Sequence, residues 1–397
     1  MTEHPLALFL NAASLAIIAF SGHLLLQRAR SQSFYWPLLG SLLAIAVLIS
    51  HPWLKQLAPE LRPLALMLSL PALYLLPVCF WLYVQGLTSS SNWTFQPSHA
   101  KHFVLCGIAL VIVLCALLLP AEIRHGLLVQ GSDHILQSTS AALRYFVYGL
   151  LILTFLMVIG WCVVAGCYVV AVFRRLHRYQ NQLKQVFAST ESLELRWLLW
   201  LLLAVVGIWL FVALSLLYDN LIGPIRLNPT LQNAIGLLLI WTIAAWGLRQ
   251  KPGFAELYQV DAESEETLLT LKEAKYQRSA LNEQLASNIV DKLHQAMTRD
   301  QLFLDAALSL PKLAKHIATP PSYISQTLNE TLGLNFFDYV NRYRVEAAKI
   351  ALLTSDATVL DIAMNVGFNA KSSFYTAFKK ETEQTPNQFR QAGRQTE

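Results

Sequence analysis

Two clusters of polar and cationic side chains towards the C-terminal end have the types and spacing to read nucleic acid. The first is Ser322, Ser325, Gln326 and Asn329; the second is Lys371, Ser372, Tyr375, Thr376, Lys379 and Lys380. Steps of three and four residues put each cluster on one face of a helix. Hydroxyl, amide and ammonium groups can hydrogen-bond base edges in a major groove, and lysines can meet phosphate. Other chemistries find no such footing. The chain has no Gly-rich phosphate loop, His-Glu-x-x-His pair or Gly-x-Ser-x-Gly elbow, and of its histidines only His23 lies deep in an apolar run, too few for haem ligation. No catalytic residue, cofactor or metal site is assigned. All five cysteines, Cys79, Cys106, Cys115, Cys162 and Cys167, fall in apolar runs, which argues against a disulfide framework or a zinc module.

The elements that must hold these clusters are legible as two helix-turn-helix patterns. In the first, Ser309 can cap a helix with Pro311 in its first turn, and Leu313, Ala314 and Ile317 form its buried face. Thr319 is expected to cap the next helix, with Pro320 and Pro321 in its first positions, where a missing amide hydrogen costs nothing. Ile324 and Leu328 face inward, and Gly333 ends the helix. A longer helix, roughly 336–353, follows as a rigid spacer. Its inner face is expected at Tyr339, Val340, Tyr343, Ala347 and Ile350, with Arg342, Arg344 and Lys349 elsewhere. The second pattern opens on Thr358 and Asp361, which resemble a capping box with a shorter acid. Ile362, Ala363 and Val366 bury one face and Gly367 makes the turn. Asn369 is expected to cap the helix that Phe374 and Phe378 anchor.

These residues resemble the AraC/XylS family of bacterial transcription regulators. Ile362-Ala363, Gly367-Phe368, Ser373-Phe374, Phe378-Lys379-Lys380, Thr385-Pro386 and Phe389-Arg390 fall in that family's order and spacing. So do Leu313-Ala314, Ile324-Ser325, Leu328-Asn329 and Gly333, followed by Phe337 and Arg342. The resemblance covers about the last hundred residues. Three positions depart from it: Ala370 where Ser is frequent, Glu383 where Gly usually precedes Thr-Pro, and Phe389 where Tyr is common. The resemblance implies two recognition helices entering successive major grooves of promoter DNA, about one helical turn, ~34 Å, apart. It assigns base edges to Ser322, Ser325, Gln326, Lys371, Ser372, Tyr375 and Thr376, and phosphates to Arg342, Lys379, Lys380 and helix amino termini. RNA polymerase is a further partner it implies.

Charge separates this region from the rest of the chain. Residues 1–248 hold 13 Lys/Arg and 7 Asp/Glu, a net +6 at about 8% charged, whereas residues 249–397 hold 17 and 18, a net −1 at about 23%. From Asp305 onward the balance is only +1, so recognition must rest on where charges sit. The poorly charged part contains seven stretches that approach or exceed the ~20 apolar residues of a membrane-crossing helix, at about 6–26, 34–50, 61–85, 101–120, 143–173, 195–218 and 231–248. Met1 to Pro5 lack a basic n-region, so the first stretch is read as a retained span. With the amino terminus outside, inner segments carry ten Lys/Arg and outer ones five, which favours a cytoplasmic C-terminal half in a bacterial inner membrane. Pro71 and Pro77 should bend the third helix. Arg144 and Asp219, at outer ends of spans five and six, are candidates for an outward ligand site or simply for snorkelling to the interface.

The expectation is an all-α chain: a seven-helix transmembrane bundle over 1–248, an acidic and helical linker over 249–284, and an AraC-type domain over 285–397, with two helix-turn-helix motifs joined by a linker helix. In the linker, Asp261, Glu263, Glu265 and Glu266 precede an apolar stripe of Leu281, Leu285, Ile289, Leu293 and Met297. That stripe fits packing on the adjacent domain or pairing of two protomers into a homodimer. The functional expectation is a one-component regulator in which the membrane half senses an unidentified small-molecule or bilayer signal and passes it through residues 249–305. Alternatives are a transporter or membrane enzyme with a regulatory DNA-binding tail, or a membrane scaffold.

Overall fold

A computed structural model describes residues 5–90, 92–130, 134–137, 139–191, 193–221, 228–250, 252–254 and 283–394. The described chain is helical throughout and falls into two compact units. One comprises Met1–Arg175 and Arg196–Pro252, and the other Leu176–Leu195 and Gly253–Glu397. The second is thus assembled from two separate pieces of sequence.

The first unit contains α1 (Pro5–Ala29), α2 (Tyr35–Ile49), α3 (His51–Leu57), α4 (Arg62–Leu87), α5 (Val104–Leu117), α6 (Ala121–His125), α7 (His134–Gln137), the leading part of α8 (Ala141–Val186), α9 (Arg196–Leu221) and α10 (Pro229–Arg249). A helix falls on each of the seven expected apolar stretches. Among the described residues, five helical segments are long and apolar enough to cross a membrane: those holding α1, α4, α5, α8 and α10. The pair α2 and α3, bent by 53° at their junction, makes a sixth if taken together, while α9 is apolar over Arg196–Ile208. Helix α1 packs against α10 and α2, α2 against α4, and α4 against α5. Leu70, Tyr74, Ala109, Ile112 and Met157 join α4, α5 and α8 in one buried cluster.

Helix α4 runs unbroken through Pro71 and Pro77. A proline at position 77 has no amide hydrogen for the carbonyl of residue 73. The indole Nε1 of Trp161 on α8 donates to that carbonyl at 2.8 Å, and four residues earlier Met157 O accepts from Tyr74 Oη at 2.7 Å. The backbone group that Pro77 frees is therefore satisfied by a neighbouring helix, as an apolar environment requires.

The second unit contains the end of α8 with residues 187–195, then α11 (Glu283–Thr298), α12 (Leu310–His316), α13 (Pro321–Gln326), α14 (Phe336–Thr354), α15 (Val359–Asn365), α16 (Lys371–Thr382) and α17 (Pro386–Arg394). It has two cores. The first gathers Ile289, Leu293 and Met297 from α11 with Leu313, Ile324, Leu328, Phe336 and Val340, so the α11 stripe packs on the adjacent domain; Leu285 stays exposed. The second gathers Val345, Ala348 and Leu352 with Ile362, Ala363, Phe374 and Phe378. Helix α14 spans both. Leu281 and the acidic residues Asp261, Glu263, Glu265 and Glu266 lie outside the described residues.

Candidate DNA-reading surface

In the first motif Ser309 occupies the N-cap position of α12 in an extended conformation without a side-chain cap bond. The turn falls on Ala318, left-handed at φ 48°. The cap expected at Thr319 falls instead on Pro320, because Thr319 is buried and its Oγ1 donates back to Ile317 O at 3.1 Å. Helix α13 passes into one π-helical turn over Thr327–Thr331. Ser322, Ser325 and Gln326 are half-buried on it. Asn329 Nδ2 donates to Ser325 O at 2.7 Å, and Gln326 Nε2 to Glu330 at 2.8 Å.

In the second motif Thr358 accepts the Asp361 amide at 3.1 Å, while its hydroxyl pairs with the Asp361 carboxylate at 2.6 Å. The shorter acid thus binds the cap hydroxyl. Gly367 makes the turn at φ +94°, and a Cβ there would meet Phe303 O at 2.6 Å and Leu304 O at 2.9 Å, so only glycine fits. The cap expected at Asn369 is Ala370, which has no side-chain acceptor to offer; Asn369 reaches Ala306 O at 3.3 Å instead. On α16, Lys371, Ser372 and Thr376 are exposed and Tyr375 half-buried, with the Lys371 ammonium 5.3 Å from the Tyr375 ring centroid. Tyr375, Thr376, Lys379, Lys380 and Thr385 line one concavity, so this cluster is brought together. Lys380 pairs with Asp338 at 2.7 Å. Arg342 is exposed and lines a separate concavity with Asp291, His294 and Glu346.

Two departures from the expected pattern turn on Glu383 and the face of α14. Helix α16 does end after Thr382, with Glu383 itself left-handed at φ 60°, the conformation a glycine adopts freely. On α14 the buried face is Phe336, Tyr339, Val340, Asn341, Arg344, Val345, Ala348 and Leu352, and Tyr343 and Ala347 pack partly buried against the first core, as expected; Ile350 is instead 66% exposed. Arg344, expected on another face, is 0% exposed. Its Nε donates to Phe303 O at 2.8 Å, one terminal nitrogen to Asp305 O at 2.9 Å, and the other to Ala188 O and Ser189 Oγ, each at 3.1 Å, and to Asn341 Oδ1 at 3.3 Å. The guanidinium also lies 5.5 Å from the Phe368 ring centroid. It therefore ties together the first core, the second motif and the segment that follows α8. Burial lowers its pKa to about 10, with Glu191 and Asp305 opposing the shift, so it is charged at neutral pH.

A helix-turn-helix domain family matches residues 313–392. That span takes in both motifs except the first residues of α12, and the whole of α14. The C-terminal region is an AraC-type helix-turn-helix domain. The end of this region has a visible job: Thr385 and Gln388 cap α17 reciprocally, and Arg390 donates to Leu352 O at 3.2 Å and Ala357 O at 2.7 Å, closing the end of α14. Over 100 residues the chain is 37% identical to an uncharacterized HTH-type transcriptional regulator of Staphylococcus aureus (strain COL), a match covering 25% of this chain and 13% of that one. Another, YtdP of Bacillus subtilis (strain 168), is 29% identical over 110 residues, covering 28% and 13%. The alignment with these relatives thus spans only about an eighth of their length. Among solved structures, the C-terminal domain of AraT, a response regulator from Geobacillus stearothermophilus, aligns at 30% identity over 29% of this chain and 88% of its own, with a TM-score of 0.25.

Within the first unit the Arg144 guanidinium is committed to Leu136 O, Gln137 O and Thr139 O at 3.0–3.2 Å, which fixes the turn before α8. The side chain of Asp219 lies outside the described residues. An unanticipated cavity of about 150 Å³ is lined by Met67, Leu70, Ile112, Leu150 and other apolar residues. Arg124 is its one charged lining residue, and the Arg124 Nε is buried with no hydrogen-bond partner among the described residues.

Proposed function

We propose that this protein is a membrane-tethered transcription regulator whose AraC-type domain binds promoter DNA in the cytoplasm under control of the helical N-terminal part. The reading rests above all on one observation. Residues 176–195, the stretch between the apolar helices α8 and α9, belong to the same compact unit as the two helix-turn-helix motifs. A DNA-binding domain built partly from a loop between apolar helices stays with those helices. Seven spans with the amino terminus outside would deliver both pieces of that unit to the inner side of a bacterial inner membrane, as the Lys/Arg distribution favours.

On DNA, Ser322, Ser325 and Gln326 from α13, and Lys371, Ser372, Tyr375 and Thr376 from α16, face base edges, while Arg342, Lys379 and Lys380 meet phosphates. For the signal, the cavity beside Arg124 supports a small amphipathic anion. About 150 Å³ accepts an apolar group of roughly benzene size, and the buried Arg124 Nε, without a partner among the described residues, is a donor suited to a carboxylate or phosphate. Chromatin immunoprecipitation of the tagged full-length protein tests the core of this reading. Shared sequence sites should be recovered from membrane-bound protein and lost with Lys371→Ala plus Tyr375→Ala, while membrane insertion is unchanged. Recovery of the protein from the soluble fraction, or peaks with no common site, would refute it.

A further inference from the structure

Residues 185–191 follow the apolar part of α8 and, among the described contacts, meet the DNA-binding unit at the first motif and at Arg344 of α14. Phe187 forms an isolated antiparallel bridge with Ser309, the N-cap residue of α12, and the Ala188 amide donates to Leu308 O at 3.1 Å. Ala188 is 1% exposed and belongs to the first core, its carbonyl gripped by Arg344. Gln185 Oε1 accepts from Asn329 Nδ2 at 3.2 Å, at the end of the first reading helix. The segment is itself braced: Tyr179 Oη donates to Leu193 O at 3.0 Å, and Tyr179 and Phe187 both pack against Phe254, just past α10. The exposed reading residues of α16 have no described contact with this segment.

We propose that residues 185–191 are an intramolecular latch on the first motif. Latched, Gln185 occupies Asn329 and brings the end of α8 against the first reading helix, so that only the second motif can enter a groove. Unlatching, driven through α8, frees α13 and lets both motifs engage. This places the switch in the stretch between α8 and α9 and assigns Gln185 and Phe187 to regulation. It rests on the reading of the chain as a membrane-tethered DNA-binding regulator.

A reversible lock tests the latch in the whole protein. Antiparallel bridge partners have Cα atoms about 4.5–5.5 Å apart, within disulfide range. Phe187→Cys with Ser309→Cys in full-length protein in nanodiscs should therefore close under oxidation and reopen with reductant, as mass spectrometry can verify. The DNA probes are fragments recovered by immunoprecipitation of the wild-type protein. The oxidised form should bind them at least tenfold more weakly than the same sample after reduction, with its DNase I footprint shortened to one half-site. Gln185→Ala with Phe187→Ala should bind at least as tightly as wild type and protect both half-sites. Equal affinity and footprint before and after reduction, or weaker binding by the loosened variant, would overturn the latch. If wild type itself recovers no shared DNA site, the regulator reading falls and the latch with it; a wild type that binds while the lock has no effect removes the latch alone.

Discussion

Replacing Arg344 with Met keeps much of the side chain's volume and removes every donor. The acceptors left behind are mostly backbone: Phe303 O, Asp305 O and Ala188 O, with Ser189 Oγ and Asn341 Oδ1 beside them. Asp305 O retains the Leu308 amide at 3.1 Å. Phe303 O and Ala188 O lose a charged donor in a buried setting, and each stranded carbonyl costs about 1–3 kcal/mol. The change also relieves the desolvation of a guanidinium, and burying an ionic group can cost more than it returns. Here the balance goes the other way, since the acceptors are main-chain groups that no substitution removes. The net loss should be about 2–5 kcal/mol, or roughly thirtyfold to several thousandfold in an opening equilibrium. Hydrogen exchange on the full-length protein in micelles reads this directly at amides of α12 and α14. Protection there should fall by that factor in both helices at once, since Arg344 on α14 holds the carbonyls of Phe303 and Asp305 in the segment that leads into α12. Unchanged exchange, or a gain in protection, would show that packing rather than the donor array holds the two cores together.

Three smaller perturbations follow from named geometry. Glu383→Gly relieves a left-handed L-residue and should stabilise the domain by about 1 kcal/mol, read as a higher midpoint in thermal unfolding; a lower midpoint would contradict the strain. Lys379→Ala should weaken binding evenly across DNA sequences and reduce the slope of log affinity against log salt by about one, whereas Lys380→Ala should change it less because Lys380 is already paired with Asp338. Hexanoate should raise the thermal midpoint of the nanodisc-embedded protein while 1-hexanol does not, and Arg124→Gln should abolish the effect; an equal shift from the alcohol would mean that the cavity takes apolar matter without regard to charge.

Much of the helix pattern was legible from apolar periodicity, and the two motifs from their turn and cap residues. What failed did so for local physical reasons. Thr319 and Asn369 are good capping types, yet neighbouring backbone turns their side chains to other acceptors, and the caps fall one residue later on Pro320 and Ala370. On α14 the apolar face holds at Tyr339, Val340, Tyr343 and Ala347 and fails at Ile350 and Arg344, the latter because an arginine reads as a surface residue in any pattern of apolar and charged positions. It is buried because several carbonyls converge on it, and convergence is invisible in one dimension. The docking of residues 185–191 left even less trace, since Gln185-Val-Phe-Ala-Ser has no period of its own. Its partners at the first motif and on α14 lie 120 to 156 positions away.

A domain assembled from two pieces of chain also has a birth order. Ala188 leaves the ribosome 156 residues before Arg344, which at 5–20 residues per second means roughly 8–30 seconds of waiting. During that interval the apolar Phe187 and Ala188 have no core to enter, and α9 and α10 are made while they wait. A cut at Gly253 intended to release a soluble DNA-binding fragment would go through the domain rather than beside it. Such a fragment would carry Arg344 without the Ala188 carbonyl it holds, so its stability would report a missing piece of the domain, while its DNA affinity would report the first motif without residues 185–191.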